Sequence, residues 1–174
     1  MRILLLGDIC GPAGMQIIKL KLKKIIDEKK IDFTIANGEN AADNGKGITK
    51  KNFKELIESG VDVITSGNHI WDQKEILEII DKEKKIIRPA NLLEGQPGNG
   101  YGIYKIKNKK IAVINLIGNV FMKKSQDLFS FTEKIIKKIK LKKDADFIII
   151  DIHGEITSEK MALGHFLDGK VTTV

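Results

Sequence analysis

The chain alternates between short apolar runs and longer segments in which apolar residues have a helical spacing. Continuous apolar runs of this length are typical of parallel strands that are buried on both faces. In the first half, the runs cover residues 2–7, 33–36 and 61–65. Helical spacing follows each run, over residues 15–30, from a capping Thr49 to Gly60, and after a capping Asp72. This half of the chain therefore predicts βαβ units around a parallel sheet.

The pattern changes after residue 86. Residues 101–106 alternate between apolar and polar positions, and a turn at Asn108 separates them from an apolar run over 111–115, which predicts an antiparallel pair. Further along, the pattern predicts a helix over 128–139, a buried strand over 147–151, a helix over 158–167 and the start of a strand over 170–174. We therefore expect a second sheet that is partly antiparallel.

A length of 174 residues suits one domain, and we expect residues 1–174 to form it. The composition, 42% hydrophobic and 30% charged, is that of a globular protein. No apolar run approaches the roughly 18 residues of a membrane-spanning helix, and Asp8 follows the first run where a signal peptide would still be apolar. The single cysteine, Cys10, excludes an internal disulfide. These features predict a cytoplasmic protein with no membrane partner.

The formal net charge of +7 raises the question of nucleic-acid binding, because lysines that neutralise phosphates provide affinity without sequence preference. The positive charge is nearly all lysine, with Arg2 and Arg88 as the only arginines, and the lysines alternate with Ile and Leu along the predicted helices. A solvated helix face explains this pattern more simply than a nucleic-acid interface does. We therefore expect any RNA binding to be weak.

Four predicted strands end in polar side chains that can bind metal ions. In chain order these are Asp8, then Glu39 with Asn40, then Asn68 with His69, then His153. Carboxylate, amide and imidazole groups together suit Mn, Fe or Zn. The carboxyl ends of parallel strands open onto one rim, so residues far apart in the sequence can meet in one cleft. Two metal ions about 3.5–4 Å apart at such a rim could activate water and neutralise charge on a phosphoryl group.

Each of these side chains also has a purely structural interpretation. Asp8 could cap the following helix, Glu39 and Asn40 could stabilise a turn, and Asn68 could cap the backbone. A lone histidine such as His153 is more often hydrogen-bonded in a half-buried position than bound to a metal. We favour one shared explanation for four successive strand ends over four independent ones.

Five segments of the chain carry a more specific signal. They are Gly7-Asp8-Ile9, Ala36 to Ala42, Gly67 to Asp72, Arg88 to Asn91, and Asp151 to Glu155. Together they resemble the YmdB-like family of bacterial calcineurin-like metallophosphoesterases, which are described as 2',3'-cyclic-nucleotide 2'-phosphodiesterases. The resemblance covers all 174 residues in order, and the pairing of Gly-Glu-Asn with Gly-Asn-His-x-Trp-Asp is its specific part.

The resemblance implies an α/β fold of the metallophosphoesterase type, an α/β/β/α sandwich of two mixed sheets flanked by helices. It also implies two divalent metal ions, iron or manganese. By the same resemblance, Asp8, Glu39 and Asn40 would hold one ion, and Glu39 would bridge to a second ion held by Asn68 and His153.

The resemblance further implies that His69 donates a proton to the leaving oxygen, and that the substrate is a small nucleotide phosphodiester. Family members continue past the position of Val174 into a Gly-Thr-His-Thr-His segment, whose two histidines complete the metal pair and which this chain lacks. We therefore expect the C-terminal part of the fold to be missing and the turnover of this chain to be weak or absent. An incomplete sheet would leave an edge open to self-association, so we also expect a homo-oligomer.

Two other functions stay open at this point. The same site could act on phosphomonoesters or RNA ends, and the chain could instead be a non-catalytic regulator that binds RNA through its lysine-rich helices. The third histidine, His165, lies within an amphipathic helical pattern, and we interpret it as structural.

Overall fold

Three strands form a first sheet in which every pairing is parallel. They are β1 (Ile3–Asp8), β2 (Phe33–Asn37) and β3 (Val63–Thr65), in the order β1-β2-β3. All three predicted strands are present, with their ends shifted by at most two residues. The carboxyl ends of the three strands therefore lie at one edge of the sheet.

The structure is a computed structural model that describes every residue from Met1 to Val174. The chain forms two compact units, Met1–Ile87 and Arg88–Val174. The assignment of residues 1–174 to one domain stays a prediction.

Two α-helices belong to the first unit, α1 (Gly11–Lys29) and α2 (Lys50–Glu58). Helix α2 begins at its predicted cap: Oγ1 of Thr49 accepts the N–H of Asn52 at 3.0 Å, and Oδ1 of Asn52 accepts the N–H of Thr49 at 3.1 Å. This capping box satisfies two backbone donors at the end of the helix. Helix α1 begins four residues before its predicted start, since Pro12 is compatible with a first helical turn.

The predicted helix after Asp72 is wrong in type. Residues Lys74–Glu78 form a short 3-10 helix, and its cap residue Gln73 makes no side-chain capping bond. Ile76 and Ile80 are nevertheless fully buried in the core of the first unit. The apolar spacing therefore reflects packing against the core and not a regular α-helix.

The second unit contains the mixed sheet. Strands β4 (Tyr101–Ile106) and β5 (Lys109–Ile117) are antiparallel, and β6 (Phe147–His153) runs parallel to β5. The hairpin turn falls at the predicted position, with Lys107 in a left-handed conformation at φ 55° next to Asn108. The predicted pairing of residues 101–106 with the following run is confirmed.

Helices α3 (Leu128–Lys138) and α4 (Thr157–Phe166) cover this sheet, and Ile135 and Leu163 are buried in its core. The strand predicted to begin at residue 170 is wrong in extent. Only one isolated parallel bridge forms there, between Thr173 and Ile149.

The expected α/β fold with two sheets flanked by helices is confirmed. Only the second sheet is mixed, because all pairings in the first are parallel. None of the helices combines the length and the apolar character that crossing a membrane requires.

Candidate active site

An irregularity at the end of β1 sets the position of Asp8. Leu6 pairs with Ala36 and Asp8 pairs with Asn37, so Gly7 is an extra residue between two successive pairs of the ladder. Such a bulge bends a strand locally. Asp8 is exposed at this edge of the sheet.

The turn after β2 buries an acidic side chain beside Asp8. The N–H of Glu39 donates to Oδ1 of Asn37 at 3.1 Å, which forms an Asx turn at the strand end. Gly38 lies against the neighbouring strand, where a Cβ would be 2.9 Å from Cγ2 of Ile64. Glu39 is only 1% exposed in this turn. A carboxylate buried to this degree is stable only when polar groups or a cation compensate for its lost hydration.

Asn40 joins the two carboxylates. Its Nδ2 donates to Oδ2 of Asp8 at 2.7 Å and to Oε1 of Glu39 at 3.3 Å. The N–H of Gly11 donates to the carbonyl of Asn40 at 2.8 Å, which ties the turn to the start of α1. The amide nitrogen thus lies between two acidic groups, in a position that a shared cation could take.

The loop after β3 is anchored on both sides of Asn68 and His69. Ser66 is fully buried, and its hydroxyl donates to a backbone carbonyl at 2.9 Å. On the other side, Ile70 is fully buried and Trp71 packs against the same core. Asn68 and His69 are half-buried between these anchors. Their side chains therefore stand on a fixed backbone at the end of β3.

His69 and Asp72 form a pair within this loop. Nδ1 of His69 lies 2.5 Å from Oδ2 of Asp72, and the N–H of Asp72 donates to the carbonyl of His69 at 2.9 Å. The carboxylate holds a proton on Nδ1, which fixes the tautomer and leaves Nε2 for exchange with another group. The sequence pattern predicts a capping role for Asp72 instead of this contact. The spacing His-x-x-Asp is the signal that could have indicated it.

The glycine-rich segment that follows Asn40 packs closely on the β3 loop. Gly47 has φ 81°, and a Cβ there would lie 3.2 Å from the carbonyl oxygen of His69. Nε2 of Gln73 donates to Oδ1 of Asn44 at 3.1 Å and to the carbonyl of Lys46 at 2.7 Å. A cavity of about 480 Å³ lies between α1, α2 and this segment, and none of the predicted site residues lines it.

Cys10, the one cysteine of the chain, lies exposed beside Asp8. Desolvation and, after it, the negative charge of Asp8 raise the pKa of the Cys10 thiol above its usual value. In the absence of a metal ion, the thiol is therefore protonated at neutral pH.

In the second unit, His153 is the last residue of β6, and β5 ends beside it. The N–H of Gly118 donates to the carbonyl of His153 at 2.8 Å.

The buried side chain of Glu159 in α4 accepts the N–H of Asn119 through Oε1 at 2.8 Å. A Cβ on Gly118 would lie 2.2 Å from Oε2 of Glu159, so an alanine there would force the Glu159 carboxylate to move. The sequence did not single out Glu159, because an acidic residue in the first turn of a helix is ordinary.

The structure brings Asp8, Glu39 and Asn40 into contact at the ends of β1 and β2. Asn68 and His69 follow the adjacent strand β3 at the same edge. His153 lies in the second unit. No group of three or more His, Cys, Asp or Glu side chains gathers in the first unit to hold a metal ion. A metal ion at the rim of the first sheet would therefore need amide oxygens among its ligands. The assignment of the site residues stays a prediction.

Known proteins with similar sequences and structures share this arrangement of elements over nearly the whole chain. A Bacillus subtilis (strain 168) protein named 2',3'-cyclic-nucleotide 2'-phosphodiesterase is 45% identical over 174 residues, which is 100% of this chain and 65% of that protein. The crystal structure of a hypothetical protein from Thermus thermophilus has a TM-score of 0.90 at 36% identity. The match covers 98% of this chain and 65% of the Thermus thermophilus chain. The crystal structure of a novel phosphatase from Mycoplasma pneumoniae has a TM-score of 0.89 at 36% identity. The match covers 98% of this chain and 61% of the Mycoplasma pneumoniae chain.

This chain thus spans slightly less than two thirds of the length of these relatives. A family model described as YmdB-like protein matches residues 4–174. The resemblance that the strand-end motifs indicated is therefore confirmed at the level of the family, and the chain belongs to the YmdB-like proteins.

Proposed function

We propose that this chain carries the metal-binding rim of a phosphodiesterase that acts on 2',3'-cyclic nucleotides or similar small phosphodiesters. The observation that carries the proposal is the contact of one amide nitrogen, Nδ2 of Asn40, with the carboxylates of both Asp8 and Glu39. The substrate class is suggested by the name of the Bacillus subtilis relative, which is 45% identical.

The chemistry of the rim fits a divalent cation. Burial of Glu39 at 1% exposure costs less when a cation shares its charge, and Asp8 brings a second carboxylate to the same amide. Rotation of the Asn40 amide about its last bond would present Oδ1 in place of Nδ2. Oxygen ligands combined with imidazole suit manganese or iron. Asp8, Glu39 and Asn40 would hold a divalent ion at this rim, and Asn68 and His153 are further candidate ligands.

When bound, such an ion would supply the Lewis acidity that offsets the charge developing on the phosphoryl group. Water adds to phosphorus in the reaction, the bond to one ribose oxygen breaks, and that oxygen takes up a proton. We assign the delivery of this proton to Nε2 of His69, because Asp72 engages Nδ1 at 2.5 Å. The buried neighbours Ser66 and Ile70 fix the backbone of this loop, so the imidazole needs little reorganisation.

A phosphomonoester substrate is the second candidate. The Mycoplasma pneumoniae structure that is 36% identical to this chain is described as a phosphatase. The same rim would serve this reaction, because a phosphomonoester presents the same phosphoryl group to the carboxylates and the imidazole.

Hydrolysis of 2',3'-cyclic AMP by the chain with Mn²⁺ or Fe²⁺ tests the proposal. We expect His69→Ala to lower the rate by roughly 10²- to 10⁴-fold, the usual contribution of a general acid. His165→Ala is the matched control, because His165 is exposed on α4 and should leave the rate unchanged. A wild-type rate above background that is equal in the two variants, or that does not depend on added metal, would contradict the proposal.

Three related expectations stay predictions. They are a cytoplasmic location, weak RNA binding and formation of a homo-oligomer.

A further inference from the structure

Gln73 joins two loops of the first unit that carry candidate site residues. One loop follows β2 and covers residues 38–47, and the other follows β3 and covers residues 66–73. Nε2 of Gln73, in the second loop, donates to Oδ1 of Asn44 at 3.1 Å and to the carbonyl of Lys46 at 2.7 Å, both in the first loop. A side-chain amide has two N–H donors, so these two bonds, the Gln73 link, use both of them.

The segment that accepts these bonds is closed by its own backbone. The N–H of Ala42 donates to the carbonyl of Gly47 at 2.9 Å, and the N–H of Gly45 donates to the carbonyl of Ala42 at 2.7 Å. Asn40 lies two residues before this segment, and its carbonyl accepts the N–H of Gly11 at 2.8 Å. The acceptor oxygens of the link therefore stand on a backbone that is continuous with the turn of the carboxylate rim.

The donor side of the link is joined directly to the residue to which we assign proton delivery. Gln73 follows Asp72, whose Oδ2 lies 2.5 Å from Nδ1 of His69 and whose N–H donates to the carbonyl of His69 at 2.9 Å. Gln73 is also the cap residue of the 3-10 helix Lys74–Glu78, but its side chain makes no capping bond. The amide of this cap residue therefore holds the neighbouring loop and not its own helix.

The two loops touch at the level of the backbone beside this link. A Cβ on Gly47 would lie 2.9 Å from Cγ and 3.0 Å from the backbone nitrogen of Gln73, and 3.2 Å from the carbonyl oxygen of His69. Any side chain at this position would push the loops apart. Because no space separates them, a shift of one loop at the link moves the backbone of His69 relative to the other.

We propose that Gln73 is a positioning residue, which fixes the paired His69 and Asp72 relative to the metal-binding rim of the same unit. The inference rests on the proposed function, because a proton donor must lie within hydrogen-bond reach of the leaving oxygen. A misplacement of about 1 Å can cost about 100-fold in rate. Gln73 acts only through the loop in this scheme and takes no part in the proton transfer itself.

Two substitutions of Gln73 break the link in different ways. Gln73→Glu keeps the shape of the side chain but replaces both donors by a carboxylate that faces two oxygen acceptors. Gln73→Ala removes the donors without adding charge. Gln16→Glu is the matched control, because it makes the same change of charge at an exposed position of α1.

Proton NMR of the metal-free full chain tests the positioning of the pair without any turnover. A hydrogen bond to Asp72 gives the Nδ1 proton of His69 a downfield signal, which is assigned by its absence from His69→Ala. We expect this signal in the wild type and in Gln16→Glu. In both Gln73 variants we expect it to be lost, because a loosened loop opens to water and the proton exchanges.

Metal binding and kinetics separate positioning from a role in the metal site. Mn²⁺ binding by equilibrium dialysis should be the same in all four chains. With 2',3'-cyclic AMP, both Gln73 variants should lower kcat by roughly tenfold and leave KM unchanged, within the cost of misplacing a catalytic group. Gln16→Glu should keep the wild-type kcat.

The two proposals fail in different ways. The positioning role is wrong if the wild type lacks the downfield signal, if the signal persists in both Gln73 variants, or if these variants lose Mn²⁺. It is also wrong if the wild type hydrolyses the substrate and both variants keep its kcat. If the wild type binds Mn²⁺ but hydrolyses nothing, the proposed function falls, and the NMR signal still decides whether Gln73 holds the pair.

Discussion

Substitution of Gly118 by alanine should destabilise the chain through a single contact. A Cβ at this position would lie 2.2 Å from Oε2 and 3.0 Å from Cδ of Glu159. Gly118 is not among the glycines with positive φ, so its backbone accepts alanine and only the contact opposes the change. Glu159 must therefore move, and the bond that its Oε1 accepts from the N–H of Asn119 at 2.8 Å is lengthened or lost.

The expected cost has two parts. Overpacking costs about 1–3 kcal/mol, and the loss of a hydrogen bond to a charged group costs about 1.5–3 kcal/mol. Relaxation recovers part of both, so we expect Gly118→Ala to lower the free energy of unfolding by about 2–4 kcal/mol. Glu159→Ala alone should cost about 1–2 kcal/mol, because it removes both the acceptor and the burial cost of the carboxylate. In the Glu159→Ala background, Gly118→Ala should then cost less than about 1 kcal/mol, since the clash is gone.

Urea unfolding of the four chains, followed by far-ultraviolet circular dichroism, measures this coupling. Gly164→Ala is the matched control, because nothing lies within 4 Å of a Cβ at that position of α4 and the change should stabilise the helix by up to about 1 kcal/mol. The reasoning is refuted if Gly118→Ala costs the same free energy with and without the Glu159 side chain.

Three further predictions concern the rim and one buried phenol. Asn68→Ala should lower the metal content of the chain, whereas His69→Ala should keep the metal and lose turnover; equal metal loss in both variants would contradict this division. Asp72→Asn should keep the metal and lower kcat by roughly tenfold or more, as changes to the partner of a catalytic histidine do, and an unchanged kcat would show that the 2.5 Å contact has no role in positioning. Burial raises the pKa of Tyr104 to about 12 from 10.0. In a Tyr101→Phe variant, which retains one tyrosine, absorbance titration should therefore have its midpoint near 12. Since the folded chain keeps a proton that the unfolded chain has lost, stability should fall as the pH rises from 10 towards 12, and a midpoint near 10 would contradict the burial argument.

The positions of the strands and their polar ends could be predicted because both depend on local pattern. Each parallel strand is an apolar run, and the residues that follow it must lie at the carboxyl edge of the sheet. This pattern is enough to predict Asp8, Glu39 and Asn40, and the structure adds that the three side chains are in contact. The bulge at Gly7 could not be foreseen, since it depends on the register between two strands.

Contacts that depend on turn geometry or on packing between distant residues were not predicted. The same spacing of isoleucines fits an α-helix or a 3-10 helix, so the sequence does not decide the type of the element at Lys74–Glu78. Because Asp72 does not cap that element, its carboxylate can pair with His69, and this contact cannot be predicted either. Glu159 resembles a solvated acidic residue at a helix start in the sequence. In the structure Glu159 is only 8% exposed, and its carboxylate lies against Gly118.

The central claim is that the carboxylates joined by Asn40 bind a divalent ion, and Mn²⁺ binding measured by equilibrium dialysis tests it most directly. Asp43→Asn is the matched control, because Asp43 is an exposed carboxylate three residues after Asn40. We predict that Asp8→Asn and Glu39→Gln each weaken Mn²⁺ binding by more than roughly 100-fold, beyond the 10- to 100-fold effect of changes outside the ligand shell, while Asp43→Asn binds like the wild type. Mn²⁺ binding of equal strength in all four chains would contradict the account.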